Sequence, residues 1–207
     1  MQYYCKIFLG THKESMNVIL DSGSNLVWVP GKNCQNCRTY TNKYDPFLSN
    51  TSKISNEKVN ITYAKGRVSG GIIEDSISFI KKHKAGSSEL TDFRIVLVDK
   101  EENLTGTLSD GIVGMGIDME GKSRNSLIYS LYETGVISTP QFTFYLSDSK
   151  KLSRLYLGNI YQNVYLRELK LDEDKEKENN KTTDKETITK SNTNIKYFFI
   201  FHIFMLI

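Results

Sequence analysis

A carboxylate that follows an apolar run is the strongest candidate for chemistry in this sequence. The run Val18-Ile19-Leu20 leads into Asp21, which is followed by Ser22-Gly23-Ser24. This pattern is typical of a buried strand that ends in a tight turn. The turn would present Asp21 at a strand end, where a carboxyl group can donate or accept a proton. Taken alone, an Asp-Ser-Gly triplet is more often a solvated surface turn, and that reading stays open here.

The composition argues against metal and nucleic-acid chemistry. The 207 residues carry a net charge of only +3, and no stretch concentrates Lys or Arg into a phosphate-binding stripe. The three histidines, His12, His83 and His202, lie far apart, and three cysteines cannot build an all-cysteine zinc site. We therefore expect no metal, no cofactor and no nucleic-acid partner.

The elements that must position Asp21 are predicted to be strands. Twelve Tyr and ten Phe with only three Pro favour pleated, aromatic-rich surfaces. A hairpin of residues 4–20 would deliver Asp21, residues 31–58 would form a surface loop, and a second hairpin would carry Tyr63 near its tip. Further strands are predicted at 93–98, 108–114, 142–146 and 155–158, and one helix at 127–132, capped by Asn125 or Ser126 and ended by Gly135. The predicted fold class is mainly β.

The order of these motifs resembles that of the N-terminal lobe of the pepsin-like aspartic proteases. The matching segments, in family order, are DSGSNLVWVP, ITYAKGRVSG, DGIVGMG, SLIYSLYETGVIS, FTFYLS and LYLGNI, over roughly residues 3–171. The resemblance implies one lobe of a bilobal acid protease fold with a flap hairpin. It also implies an aspartic endopeptidase, which hydrolyses peptide bonds with a water activated between two carboxyl groups.

The resemblance further implies a role for each residue of the Asp21 turn. Asp21 would be one of the two catalytic carboxyls. Ser22 would support the turn from within, and Gly23 would let a substrate backbone approach closely. Ser24 would hydrogen-bond the carboxylate and help to hold it ionised.

The other implied site residues belong to the flap and to the substrate pocket. Tyr63 would lie in the flap over a peptide-binding cleft, with its hydroxyl able to meet the indole N–H of Trp28. Gly66 would belong to the same flap. Ile19 and Ile112 match family positions that line the apolar pocket beside the scissile bond.

Cys34 and Cys37 match the small-loop disulfide of the family. From the residues alone a redox-active Cys-x-x-Cys stays open, but the polar flanks without a strand–helix pattern favour a structural disulfide. A disulfide would indicate an oxidising compartment and would leave Cys5 unpaired. Weak support for a secretory route comes from sequons of the form Asn-x-Ser/Thr. They begin at Asn50, Asn60, Asn103 and Asn180.

The sequence contains no second Asp-Ser/Thr-Gly triplet. A second carboxyl would therefore come from a missing C-terminal half or from a second copy across a two-fold axis. We expect an incomplete chain that acts on polypeptide substrates and supplies one catalytic Asp and the flap. The alternative is a non-catalytic pseudo-protease lobe that holds an extended peptide without cutting it.

Composition divides the chain into three segments. Residues 1–171 would form the pepsin-like lobe, and residues 172–196 a polar disordered tail. Residues 197–207 are apolar but too short to span a bilayer as a helix. They could be a membrane-anchor signal, but a gene-model artefact is the favoured explanation. No signal peptide is recognisable at the start, and the family implies a secretory, lysosome- or vacuole-like, or extracellular location.

Overall fold

A computed structural model describes residues 4–38, 41–64, 66–81, 89–104, 109–118, 125–146 and 153–159. The predicted polar tail at 172–196 and the apolar segment at 197–207 lie outside the described residues. The chain divides into two compact units, residues 1–140 and 141–207, which are described separately.

The first unit is built mainly of strands. Its elements, in chain order, are β1 Tyr4–Leu9, β2 Glu14–Asp21, β3 Val27–Gln35, a 3-10 turn Pro46–Leu48, β4 Lys53–Tyr63, β5 Gly66–Ser78, β6 Glu89–Glu102, β7 Gly111–Gly114 and helix α1 Leu127–Glu133. The second unit contains a hairpin of β8 Phe142–Tyr145 and β9 Arg154–Leu157. The mainly β fold class predicted from the sequence is confirmed.

Seven strands of the first unit form one sheet in the order β1-β2-β7-β3-β6-β5-β4, with an additional pairing of β1 and β5. Strands β2 and β7 are parallel, and β3 is antiparallel to β7 on its other side. Because β2 and β7 are parallel, their carboxyl ends lie at the same edge of the sheet. The register places Asp21 beside Gly114 at that edge.

The core contains a cluster of buried side chains around Trp28, which is only 1% exposed. Its partners include Val68, Ile72, Val96 and Val98 from β5 and β6. Full burial of one aliphatic side chain contributes about 1.5–3 kcal/mol to folding. This cluster therefore holds β3 firmly against the long β5–β6 pair.

The predicted surface loop at 31–58 was too long, because β3 reaches Gln35 and β4 begins at Lys53. The strand predicted at 93–98 likewise extends over Glu89–Glu102. The added stretches are largely polar and exposed, and ion pairs such as Lys53–Asp92 and Lys58–Asp99 join their strands. These pairs link β4 with β6 across the intervening β5, and their charged, exposed residues lack the apolar alternation that identifies a strand in sequence.

The short helix follows its predicted signals. The Ser126 side chain accepts a hydrogen bond from the Tyr129 N–H, so Ser126 is the N-cap residue. After the helix, Gly135 adopts a positive φ of 72°, a conformation that glycine tolerates. Among the described residues, no helix is long and apolar enough to cross a membrane.

Candidate active site

Asp21 is the last residue of β2 and is half-buried. Its Oδ1 accepts a 3.0 Å hydrogen bond from the Gly23 N–H, and its Oδ2 accepts a 2.6 Å bond from the Ser24 hydroxyl. Ser22, which lies between Asp21 and Gly23 in the sequence, is exposed. The turn therefore donates one hydrogen bond to each carboxylate oxygen, which fixes the orientation of the carboxylate.

The backbone of the turn is held by the residues at the end of β7. The Met115 N–H donates to the Asp21 carbonyl at 2.7 Å, and the Gly116 N–H donates to the Ser24 carbonyl at 2.8 Å. A side chain at Gly114 would place its Cβ 2.6 Å from backbone atoms of Asn25 and Leu26. Glycine is required there because the two backbones are almost in contact.

Tyr63, at the end of β4, lies at the tip of the β4–β5 hairpin. Its hydroxyl accepts a 2.8 Å hydrogen bond from the indole N–H of Trp28. Burial raises the pKa of Tyr63 to about 12; the negative charge of Asp21 acts in the same direction, whereas hydrogen bonds with Trp28 and Ser24 oppose the shift. The Ser24–Asp21 and Trp28–Tyr63 hydrogen bonds thus lie near each other, since Asp21 and Ser24 both influence the pKa of Tyr63.

Ile19 and Ile112 lie beside each other on neighbouring strands. Ile112 of β7 is in register with Ile19 of β2 on one side and with Trp28 of β3 on the other. Both isoleucines are half-buried. Because side chains two residues apart on a strand share a face, Ile19 lies on the same face as Asp21. The sheet thus offers an apolar surface next to the carboxylate.

Gly66 begins β5 directly opposite Tyr63. A Cβ at this position would lie 2.3 Å from the carbonyl oxygen of Glu102 and would also crowd Asn103. The missing side chain therefore lets the hairpin tip pack closely against the end of β6.

Cys34 and Cys37 form the predicted disulfide. Both residues are only 8% exposed and pack in the same cluster as Trp28, so the bond is buried although Cys37 follows the end of β3. Cys5 is a free thiol in β1, and burial raises its pKa to about 12. The cross-link belongs to the packing that supports Trp28.

Asp110 makes more hydrogen bonds to distant segments than its local sequence indicates. This residue is only 3% exposed and directly precedes β7. Its carboxylate accepts hydrogen bonds from the Asn17 N–H at 2.7 Å, the Asn42 N–H at 2.8 Å and the Asn42 Nδ2 at 2.9 Å. The Asp110 N–H in turn donates to the Asn17 carbonyl at 2.6 Å. Asp110 thus joins the start of β7 to β2, the strand that carries Asp21.

Ser126 also has a second contact that its capping role does not reveal. Its hydroxyl donates a 2.9 Å hydrogen bond to the carbonyl of Gly116, the residue whose N–H holds Ser24. The only local signal for Ser126 was that of a helix cap.

No group of three or more His, Cys, Asp or Glu side chains that could hold a metal ion occurs in the described parts of the chain.

The site can be compared with those of known proteins once this geometry is established. The family model described as eukaryotic aspartyl protease matches residues 2–196. A vacuolar protease A of Aspergillus fumigatus is 32% identical over 179 residues, which cover 81% of this chain and 42% of the relative. Pepsin F of Oryctolagus cuniculus is 30% identical over 170 residues, covering 80% of this chain and 42% of the relative.

A third relative, mucorpepsin of Rhizomucor miehei, is 28% identical over 175 residues, covering 77% of this chain and 39% of the relative. The chain thus spans about two fifths of the length of these curated relatives. The described residues are mainly β with one α-helix, which is consistent with a single lobe of the pepsin-like fold. With a family match that covers most of its residues, the chain belongs to the eukaryotic aspartyl protease family.

Proposed function

We propose that this chain is a lobe of an aspartic endopeptidase and that Asp21 supplies one of its two catalytic carboxyls. The observation that carries the proposal is the proximity of two hydrogen-bonded pairs, Asp21 with Ser24 and Tyr63 with Trp28. Gly23 and Ser24 hold both oxygens of one carboxylate in a fixed orientation. A preorganised carboxylate is what proton transfer to or from a water molecule requires.

The proposed reaction uses two carboxyl groups that share one proton. The ionised carboxyl accepts a proton from water as the water attacks the peptide carbonyl, and the protonated carboxyl donates a hydrogen bond to the carbonyl oxygen. Two such groups placed close together do not ionise at the same time. The second carboxyl would come from a second lobe or from a second copy of this chain.

The remaining site residues would bind and cover the substrate. The β4–β5 hairpin would act as a flap, with Tyr63 and Gly66 at its tip and Trp28 holding the Tyr63 hydroxyl. Ile19 and Ile112 would line the apolar pocket beside the scissile bond. Closure of such a flap excludes water and orients a polypeptide substrate.

A vacuole-like or other secretory location would follow for this chain. Relatives named vacuolar protease A and vacuolar aspartic protease support it. The buried Cys34–Cys37 disulfide supports it independently, because disulfides persist in oxidising compartments.

The proposal is tested by proteolysis assays at acidic pH on an unfolded protein substrate. The chain is assayed by itself and after extension with its downstream genomic sequence, with and without a statine-type inhibitor. We expect Asp21→Ala to lower kcat by at least about 10³-fold, because the proton-transfer group is removed. The matched control is Asp99→Asn, an exposed acidic residue on β6. Cleavage that is insensitive to both Asp21→Ala and the inhibitor would overturn the proposal.

The alternative is a pseudo-protease lobe that binds an extended peptide without cutting it. It is favoured by the single Asp-Ser-Gly triplet in the sequence. A monomer in analytical ultracentrifugation that binds a statine-type inhibitor no better than Asp21→Ala does would support this alternative. A homodimer that cleaves peptide would exclude it.

A further inference from the structure

We propose that Asn60 is an N-glycosylation site and that its glycan covers the outer face of the β4–β5 hairpin. The inference rests on the secretory location that forms part of the proposed function. Asn60-Ile61-Thr62 is an Asn-x-Thr acceptor sequence, and such sequences are glycosylated at exposed positions of secreted proteins.

The strand geometry separates the acceptor side chains from the candidate active site. Successive side chains of a strand point to opposite faces, so Asn60 and Thr62 share one face and Ile61 and Tyr63 share the other. Asn60 and Thr62 are exposed, whereas Ile61 and Tyr63 pack against the cluster that contains Trp28. A glycan on Asn60 would therefore extend away from Asp21 without disturbing the packing beneath the hairpin.

A glycan on β4 would protect an edge of the sheet. Among the described strands, β4 ends the sheet on one side and pairs only with β5. It is 11 residues long, and Ile54 near its start is 59% exposed. A long edge strand invites pairing with another chain, and proteins protect such edges with charged residues, irregular pairing or a covering group. The start of β4 has charged residues and an irregular register between Ile54 and Lys58, whereas residues 59–63 pair regularly and carry no charge. A glycan on Asn60, three residues before the last residue of β4, would obstruct that pairing in the half of the strand nearer the hairpin tip.

The neighbouring sequons are less suitable. In the sequon that begins at Asn50, the Thr51 hydroxyl donates a 2.6 Å hydrogen bond to the Asp75 carboxylate. The hydroxyl of Ser52, the third residue of that sequon, is buried. Asn103 has a φ of 60°, a left-handed conformation, and the third residue of its sequon lies outside the described residues. Of the sequons within the described residues, the one at Asn60 combines an extended backbone with an exposed amide and an exposed hydroxyl.

The modification is a group transfer from a polyisoprenyl diphosphate-linked oligosaccharide, catalysed by the transferase of the secretory pathway. The Asn60 amide nitrogen forms a bond to the anomeric carbon of the first sugar. The bond between that carbon and the diphosphate oxygen breaks, and the lipid diphosphate leaves with its electron pair. The amide loses one proton, and no oxidant or reductant is needed.

The test is expression of the full 207-residue chain behind a signal peptide in a eukaryotic host. The secreted chain is digested, in water labelled with heavy oxygen, with an amidase that removes N-glycans. This enzyme converts each glycosylated Asn to a labelled Asp, which mass spectrometry of the peptides detects. We expect heavy-labelled Asp at position 60 and loss of one glycan-sized mobility step in Asn60→Gln and in Thr62→Val. Thr62→Ser, which keeps the hydroxyl, should retain the step.

An unmodified Asn60 in secreted chain with an intact Cys34–Cys37 disulfide would overturn the inference. The inference would also be overturned if Asn60→Gln migrated like the parent chain while replacement of Asn50 or Asn103 removed every glycan-sized mobility step. Binding of a statine-type inhibitor is measured on the same samples. If inhibitor binding is present while Asn60 is unmodified, the glycan inference fails and the proposed function stands. If Asn60 carries a glycan but inhibitor binding does not depend on Asp21, the proposed function fails instead.

Discussion

The indole N–H of Trp28 donates a 2.8 Å hydrogen bond to the hydroxyl of Tyr63, which ties the tip of the β4–β5 hairpin to a side chain that is only 1% exposed. The hairpin tip therefore has a defined resting position above the end of β2. Any motion that lifts the tip must break this bond and leave the buried indole N–H without its partner, which costs free energy.

We expect Tyr63→Phe to lower the free energy of unfolding by about 1–2 kcal/mol, since it leaves the Trp28 N–H unsatisfied. Urea denaturation measures the change. The control is Tyr132→Phe, at a tyrosine that is 39% exposed, which should change stability by less than about 0.5 kcal/mol. A double-mutant cycle with Trp28→Phe should give a coupling energy of about 1 kcal/mol. Equal losses in the free energy of unfolding for Tyr63→Phe and Tyr132→Phe would show that the Trp28–Tyr63 hydrogen bond does not stabilise the fold.

Gly111→Ala should destabilise the fold by about 3 kcal/mol or more, because the added Cβ would lie 2.2 Å from the Trp28 carbonyl oxygen and force β3 and β7 apart. Gly71→Ala is the matched control. Its Cβ would meet no atom closer than 3.7 Å, so a change within about 0.5 kcal/mol is expected. Both variants are compared by thermal and urea unfolding, and a mild effect of Gly111→Ala would show that the strands separate easily.

Asp110→Asn should lower the free energy of unfolding by about 2–4 kcal/mol. The variant replaces a carboxylate that accepts bonds from Asn17 and Asn42 with an amide whose NH₂ group faces those donors. Asp99→Asn, at an exposed ion pair, should cost less than about 1 kcal/mol. Chemical denaturation at neutral pH distinguishes the two, and similar losses would argue against a special role for Asp110.

Cys5 should react slowly with alkylating reagents in the folded protein. Burial raises the pKa of its thiol to about 12, so little thiolate is present at pH 8.5. We expect native labelling to be at least about 10²-fold slower than labelling in urea, with the Cys34–Cys37 disulfide kept oxidised. Cys5→Ser should incorporate no label, and rapid native labelling would show that the thiol is accessible.

The same shift gives stability a pH dependence of known sign. The folded chain retains the Cys5 proton more strongly than the unfolded chain, whose pKa is near 9.0. The contribution of the protonated thiol to stability is therefore complete below about pH 9 and is lost as the pH rises towards 12. Cys5→Ser should remove this component from the alkaline unfolding curve.

Local sequence was sufficient to predict the turn at Asp21 and to limit the helix cap to Asn125 or Ser126, because both depend on neighbouring residues; the structure assigns the cap to Ser126. The contacts of Asp110 were not readable in this way, since its partners lie 68 and 93 residues away. The ends of β4 and β6 were missed for a different reason. The residues that lengthen these strands are largely charged and exposed, as in the Lys53–Asp92 and Lys58–Asp99 ion pairs, and such residues leave no apolar alternation in the sequence.

The proximity of Tyr63 and Trp28 depends on the fold as a whole, so only the family resemblance could suggest it. Nothing in their spacing predicts that a residue of β4 meets one of β3, because β6 and β5 lie between those strands in the sheet. Register and strand order carry this information, and both are set by long-range packing.

The double contact of Ser126 has a consequence for natural variation in this lobe. Its hydroxyl fixes Gly116, Gly116 fixes Ser24, and Ser24 fixes the carboxylate of Asp21. A shift of the first turn of α1 would therefore displace Gly116 and Ser24 and rotate the Asp21 carboxylate. Substitutions at the beginning of α1, far from Asp21 in sequence, are therefore a route by which the orientation of the Asp21 carboxylate could change without any substitution in the Asp21 turn.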